Sequence, residues 1–405
     1  MARVQISVDP EIVQGLFQRD DGLAKLVESV LNQMLGAQVA EQLGAQRYQR
    51  TEERQGYRNG VRERTMKTRV GALCLEVPQV REGVFSTELF GRYQRSEQAL
   101  VLALMEMVVN GVSTRKVKRI TEELCGTSFA RSTVSDLCRG LDQTVGAWNS
   151  RDLGGQATPF VIVDALVLRI REDGQVRPAS AFLAVGVTAD GHRQVLGLML
   201  GDSESEDSWS TFFAWLTGRG LKEVDLVVSD DHAGLVAAVR KHFQGVVWQR
   251  CQTHLSRNVL DACPKALHAE LRSRLRGIFE APDAEVARVL LEETLSQYGV
   301  RAPRAMERLE AGFDDVVAVL ALPQPYRRLL RTTNGLERLN EEIRRRERVI
   351  RIFPNQAAAL RLLGALLMEQ DDIWTTERKY LDMTSYWEWR AATNTTQPAQ
   401  RGNAA

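Results

Sequence analysis

The stretch Phe160-Val-Ile-Val-Asp164-Ala-Leu-Val-Leu168 is an apolar run interrupted by a single carboxylate. A short run rich in β-branched residues, with neither glycine nor proline, reads as a strand buried in a sheet. A carboxylate inside such a strand carries a heavy desolvation cost unless a cation or a hydrogen-bond donor meets it. Asp164 therefore asks for a partner, and the sheet around it is the place to look.

C-terminal to this strand, Ala179–Thr188 and Gln194–Leu200 read as two more strands. A helix over Ser208–Leu216, a strand over Val224–Val228, a helix over Ala233–Phe243 and a strand over Val246–Gln249 follow. Three strands in a meander, then helix, strand, helix, strand, describe an α/β domain. From Pro264 to Leu322 the pattern is almost purely helical, with Leu267, Leu271, Leu275 and Ile278 along one stripe. An all-helical block is thus inserted into the α/β domain or follows it. The polar tail from Ala391 is expected to be disordered.

N-terminal to the strand the character differs. Leu26, Val27, Val30, Leu31, Met34, Leu35 and Val39 recur at helical spacing in a segment ending near Leu43-Gly44. That face packs either within the chain or on a second subunit. The turn glycines of Gly56-Tyr-Arg-Asn-Gly60 and the alternation of Thr68–Pro78 predict short strands in a basic segment. Ser113 or Thr114 caps a helix running to Leu124, Gly126 breaks it, and Arg131-Ser-Thr133 opens a second helix through Leu141. Two short helices across a glycine turn fit a helix-turn-helix, in which Arg131, Ser132 and Thr133 would begin the groove-reading helix; an ordinary helical hairpin is the alternative.

With 405 residues, 44% hydrophobic and 26% charged, the chain is long enough for several globular segments. The net charge of +1 conceals basic stretches at Arg47–Arg69 and Arg331–Arg351, which suit a polyanion but are also ordinary solvated faces. Five scattered cysteines imply no disulfide framework, and no apolar segment approaches the roughly 18 to 20 residues of a membrane span. A reducing, bacterial cytoplasm without membrane attachment is the expected setting.

Two more carboxylates stand at telling places. Asp230, in Ser229-Asp-Asp-His-Ala-Gly234, follows a predicted strand end, where sites form in parallel α/β sheets. Glu337 opens a helix in Thr332-Thr-Asn-Gly-Leu-Glu-Arg-Leu-Asn340, and Arg344, seven residues on, shares its face. Three acids among 52 decide nothing alone.

The wider set of strings carries more weight. Gly56–Gly60, Gly111-Val-Ser-Thr-Arg115, Val163-Asp-Ala165, Glu204-Ser-Glu-Asp-Ser-Trp209, Arg219-Gly-Leu221, Ser229-Asp230, Gln249-Arg-Cys-Gln-Thr-His254, Thr333-Asn334, Glu337–Asn340 and Phe353-Pro354 occur in order along nearly the whole chain. Together they resemble the bacterial mutator-type transposases, a family of DDE transposases with an RNase H-like catalytic domain. The resemblance implies that Asp164, Asp230 and Glu337 are the catalytic, metal-binding triad, with Glu337 returned to the site after a helical insertion. Asp231 directly follows Asp230; the resemblance implies Asp230, which immediately follows the serine at the strand end as in the family.

Three converging carboxylates repel one another by about 4 kcal/mol per pair at 4 Å and an effective dielectric near 20, which divalent ions relieve. Two Mg²⁺ or Mn²⁺ ions would suit these hard oxygen ligands, for hydrolysis at an element end and then attack by the freed 3′-hydroxyl on target DNA. The expected partners are the terminal inverted repeats and target DNA, and the expected assembly is a homodimer. The implied organisation is an RNase H-like α/β catalytic domain (151–255 and 331–372) with an all-helical insertion (256–330) and a C-terminal segment (373–405). Preceding it would be a mostly helical DNA-binding region: a helical 1–46, a basic β-rich 47–100 and a helix-turn-helix-like 101–150.

Candidate DNA contacts are Arg58, Arg115, Lys116, Arg131, Ser132, Thr133, Arg250, His254, Arg344 and Arg345. Cys251-Gln-Thr-His254 has the spacing of half a zinc site, to which Cys263 and His268 would add the rest; a buried thiol and a histidine touching nearby backbone or DNA is the plainer reading. Trp209, Trp215 and Trp248 read as core residues, with stacking on a base beside a cleaved end as the sharper alternative. Two other functions remain: a catalytically silent DNA-binding regulator, and a structure-selective nuclease on the same fold.

Overall fold

Asp9 begins the first element: its carboxylate accepts the Glu11 N–H at 3.0 Å and proline occupies the first position of helix α1 (Pro10–Gln18). The computed structural model describes residues 5–19, 21–87, 89–91, 94 and 96–396. They divide into two units, Met1–Gly140 and Leu141–Ala405.

In the first unit, α2 (Gly22–Leu43) stops at Gly44, whose φ of +61° is the left-handed conformation glycine adopts without strain. Its apolar stripe is used within the chain: Ala24 and Leu35 pack with Met66, Leu73 and Leu75 of a hairpin, β1 (Arg58–Thr68) and β2 (Gly71–Val80). The hairpin closes with Thr68 opposite Gly71 and carries an irregularity between Arg58 and Val61. Helices α3 (Gln98–Val109), α4 (Thr114–Cys125) and α5 (Arg131–Cys138) share a core of Leu100, Leu104, Val117, Phe129, Val134 and Cys138. Ser113 caps α4 by accepting the Lys116 N–H, and Gly126 at φ +59° ends it. The helix expected to run from Arg131 through Leu141 ends at Cys138 instead. There the Arg139 N–H turns to the Ser135 and Asp136 carbonyls and the Gly140 N–H to that of Leu137, and α6 (Leu141–Asn149) belongs to the second unit.

The second unit is built on β3 (Phe160–Glu172), β4 (Gln175–Val187) and β5 (Arg193–Gly201), then α7 (Glu206–Gly218), β6 (Leu226–Ser229), α8 (Ala233–His242) and β7 (Val247–Arg250). β4 starts earlier than expected because Asp173 and Gly174, at φ +50° and +78°, make a tight hairpin turn. The sheet order is β5-β4-β3-β6-β7, antiparallel from β5 to β3 and parallel from β3 to β7.

Side chains alternate across a strand, so β3 feeds two cores. Val161 and Val163 pack with Trp209, Phe212, Phe213 and Leu235 on one face. Phe160, Ile162, Leu166 and Leu168 pack with Leu336, Leu339 and Leu363 on the other. Asp164 belongs by parity to the second face.

After β7 come α9 (Gln252–Asp261), α10 (His268–Phe279), α11 (Ala284–Tyr298), α12 (Pro303–Ala311) and α13 (Phe313–Val317), with a core of their own that includes Leu255, Leu271, Leu275, Leu291 and Leu309. The chain then returns to the sheet through α14 (Gln324–Leu330), α15 (Asn334–Ile350), α16 (Gln356–Thr376) and α17 (Thr384–Thr396). The tail expected to be disordered from Ala391 continues α17 as far as Thr396. Tyr386 anchors that helix, its ring 4.7 Å from the ring of Phe160, and Arg390 pairs with Asp225 at 3.0 Å. Residues 397–405 lie outside the described residues. Among the described residues no helix is long and apolar enough to cross a membrane.

Candidate active site

Parallel pairing sets Ile162 beside Val228, and β6 ends one residue later at Ser229. Continued by two residues, that register brings Asp164 level with Asp230 on strands about 4.8 Å apart. Asp230 acts on Asp164 accordingly. Burial first, then Asp230 and Glu204, push the Asp164 carboxyl up to about 6, against the opposing pull of the Ala165 N–H and of His254. Asp164 Oδ1 accepts the Ala165 N–H at 2.9 Å, and Oδ2 accepts from Asn340 Nδ2 at 2.6 Å. Asn340 is one turn beyond Glu337 on α15, so the helix that carries the third acid also meets the partner-seeking Asp164.

Asp231 faces elsewhere. It pairs with Arg250 at 2.8 Å, at the end of β7, and that arginine is buried. Arg250, expected among the DNA contacts, makes this pair within the chain.

The Cys251–His254 element stitches the site together. The Cys251 N–H donates to the Ser229 carbonyl at 2.7 Å, tying it to the strand end before Asp230. Its buried sulfur accepts from both the N–H and the hydroxyl of Thr333 at 3.4 Å, at the head of α15. Gln252 N–H donates to the Arg331 carbonyl at 3.0 Å, and Thr253 Oγ1 lies 3.2 Å from Asn334 Oδ1. One turn along α9, His254 Nε2 reaches to 3.6 Å from Glu337 Oε1. Burial raises the Cys251 thiol, but hydrogen bonding to His254 and Thr333 outweighs it and leaves the thiol below its ordinary value. The same thiol raises His254, which Glu337 and Asp230 raise further against burial. Cys263 and His268 are engaged locally, His268 Nε2 with the Cys263 carbonyl at 3.1 Å.

Sequence reasoning assigned no role to Glu204, although it stands in the quoted Glu204–Trp209 string. Burial and Asp230 raise its carboxyl while His232, 3.8 Å away, lowers it. Trp209 donates its ring N–H to Glu204 at 3.4 Å and is itself fully buried, so it is a core residue that steadies an acid and offers no face to a base. Asn340 was also overlooked as a functional residue. The available signal was that each stands in one of the quoted strings, and for Asn340 also that it lies on the buried stripe of α15 with Leu336, Leu339 and Ile343.

On the outer turns of α15, Arg344 donates to the Val167 carbonyl at 3.0 Å and to Glu347 at 2.9 Å, and Arg345 pairs with Glu342 at 3.2 Å. In the first unit, Arg115 and Lys116 are exposed on the first turn of α4, and Arg131, Ser132 and Thr133 are exposed at the start of α5. Arg58 lies on β1, its guanidinium lowered by burial and by Arg47 and Arg54.

Hard oxygen donors such as Asp164, raised by burial and by the neighbouring Asp230, are the kind a divalent cation fits. The buried Oδ1 of Asn340 has no hydrogen-bond partner and adds a neutral acceptor. Among the described residues, however, no three His, Cys, Asp or Glu side chains stand together closely enough to hold an ion, and Glu337 is turned to His254.

The same chain has close relatives among known proteins. The family described as "Transposase, Mutator family" matches residues 2–377. The chain is 42% identical over 388 residues to the transposase for insertion sequence element IS256 in transposon Tn4001 of Staphylococcus aureus, covering 94% of this chain and 99% of that protein. It is 45% identical over 368 residues to the transposase for insertion sequence element ISRM5 of Rhizobium meliloti, covering 91% and 92%. Against the transposase for insertion sequence element IS1081 of Mycobacterium tuberculosis the identity is 37% over 383 residues, covering 94% and 92%.

Proposed function

Since the chain belongs to the Mutator family of transposases, we propose that Asp164, Asp230 and Glu337 are the acids with which it cuts and joins DNA. The observation that carries this reading is Asp164: a carboxylate in the central strand, raised by Asp230 and met by Asn340 from the helix that bears Glu337. The β5-β4-β3-β6-β7 order supports an RNase H-like domain interrupted by the helical block α9–α13.

In this reading Asp164, Asp230 and Glu337 hold divalent ions, Mg²⁺ or Mn²⁺, two per site. When bound, such ions would neutralise the carboxylates, sharpen a water or 3′-hydroxyl as nucleophile and stabilise the leaving oxygen. The chain's own residues do the positioning. Asn340 fixes one oxygen of Asp164 and the Ala165 N–H the other, so the carboxylate is held in one orientation beside Asp230. Cys251 joins the Ser229 end of β6 to Thr333, so that the segments bearing Asp230 and Glu337 move as one piece. His254, kept basic by the neighbouring thiol, orients Glu337. The arginine pair Arg344 and Arg345 and the exposed Arg115, Lys116 and Arg131–Thr133 are proposed phosphate and base contacts, with α4 and α5 acting as a helix-turn-helix on the terminal repeats. A homodimer working in the cytosol completes the proposal, because two element ends are processed together.

The test is nicking of DNA carrying the element's ends, in Mg²⁺ and in EDTA, by wild type and by Asp164→Asn, Asp230→Asn and Glu337→Gln. Each substitution should abolish cleavage and strand transfer while sparing end binding. Wild type that binds ends yet never cuts would replace this reading with that of a silent regulator.

A further inference from the structure

Two adjoining cavities of about 330 and 480 Å³ lie at the head of α15, and both are lined by Arg328, Thr332 and Asn334. The first extends to Arg272 and Arg276 on α10 and to Arg331; the second extends to Arg193 and Arg338. Six guanidinium groups therefore line one continuous depression that begins within a turn of Glu337. The two lining carboxylates are already neutralised, Glu280 by Arg331 at 3.7 Å and Glu342 by Arg345 at 3.2 Å. Among the described residues no carboxylate lies within ion-pair distance of Arg193, Arg272, Arg276, Arg328 or Arg338.

Arg193 is the most informative member. Its guanidinium lies 4.2 Å from the Trp374 ring centre and 4.5 Å from that of Tyr380. Burial, with the like charge of Arg338 adding to it, pulls its pKa below the ordinary value against the opposing pull of Tyr380 and of Glu377. A half-buried cation held by two aromatic rings beside another cation is stabilised by an anion that neutralises both, and a guanidinium fork matches phosphate geometry. Arginines in series along a groove whose own lining carboxylates are paired suit a chain of phosphates better than a single one.

We propose that this depression is the track for the sugar-phosphate backbone of the DNA strand running from the scissile position, with the helical block supplying one wall through Arg272 and Arg276. The proposal rests on the transposase reading and adds residues outside its expected DNA contacts. It also gives the helical block a role in DNA binding, since the block brings its arginines to the head of the helix that bears Glu337.

The experiment uses the full chain and a fluorescent single-stranded oligonucleotide of arbitrary sequence, with binding followed by anisotropy across a salt series. Arg276→Gln combined with Arg328→Gln and Arg338→Gln should weaken binding at least tenfold. It should also flatten the plot of log affinity against log salt by roughly 0.7 for each phosphate no longer neutralised. The matching triple lysine variant should recover most of the affinity, and Arg304→Gln, on α12 and outside the groove, should behave as wild type. Inorganic phosphate and a mononucleotide should compete poorly at equal phosphate concentration. Triple-glutamine protein that melts like wild type and keeps its affinity and salt slope overturns the track alone, since end cleavage by wild type still stands. Efficient competition by a mononucleotide overturns it in favour of a small-anion site. Wild type that binds no DNA overturns both the track and the transposase reading.

Discussion

Replacing Asp164 by asparagine preserves the side chain's shape and removes its charge, and so isolates what that charge costs the fold. The carboxyl rises from 3.8 to about 6, chiefly through burial and then through Asp230. At neutral pH the ionised side chain therefore disfavours the ion-free folded state by ~3 kcal/mol relative to its protonated form. The amide cannot accept from both Ala165 N–H and Asn340 Nδ2 as the carboxylate does, which costs about 1 kcal/mol. Asp164→Asn should thus stabilise the protein by roughly 2 kcal/mol at pH 7.5 in EDTA, while ending cleavage. The folded pKa lies above the unfolded one, so wild type has no deficit below about pH 4 and acquires it as pH climbs through 6. The variant's advantage should appear over that window. Urea unfolding followed by tryptophan fluorescence from pH 4.5 to 8 measures it, and all seven tryptophans lie in Leu141–Ala405, so the signal reports the unit concerned. A variant less stable than wild type at pH 7.5, or a gain that ignores pH, would refute the claim that the site is a set of mutually repelling acids.

Cys251→Ala removes the thiol that raises His254; the imidazole should then lose its proton at a lower pH, seen as a shifted titration of its ring protons by NMR, and cleavage should slow several-fold. An unmoved titration would discard the proposed positioning of Glu337. Gly364→Ala, which in an exposed helix would help by about 1 kcal/mol, should instead destabilise by ~1–3 kcal/mol, because the new methyl would lie 2.2 Å from Val145 Cγ1 where α6 packs on α16. Thermal melting decides, and a raised midpoint would contradict the packing. Arg131→Ala should weaken binding to element ends more than binding to random DNA; equal losses would make it a phosphate contact.

Local features of this chain were legible because local chemistry produces them. The apolar run around Asp164 reads as a strand, Ser113 as a cap, and Gly44 and Gly126 as helix stops, since each depends on neighbours a few residues away. Features that depend on distant contacts were less legible. Polar residues after Ala391 resemble a loose tail, yet Tyr386 and Arg390 hold that helix to the sheet. The apolar stripe of α2 was open between a partner subunit and the chain itself, and part of it, Val27, Leu31 and Leu35, packs on the hairpin of its own unit.

What the chain's order of residues could not decide is which distant side chain meets which acid. Asn340 reaches Asp164 across 176 positions of sequence, Arg250 pairs with Asp231, and Glu204, just before α7, is raised by Asp230. Strand and helix periods depend on contacts within a turn or a pleat. The pairing of charges depends on sheet register and on which face of β3 is covered by α15, and those are set only when segments far apart in sequence bury their apolar surfaces together.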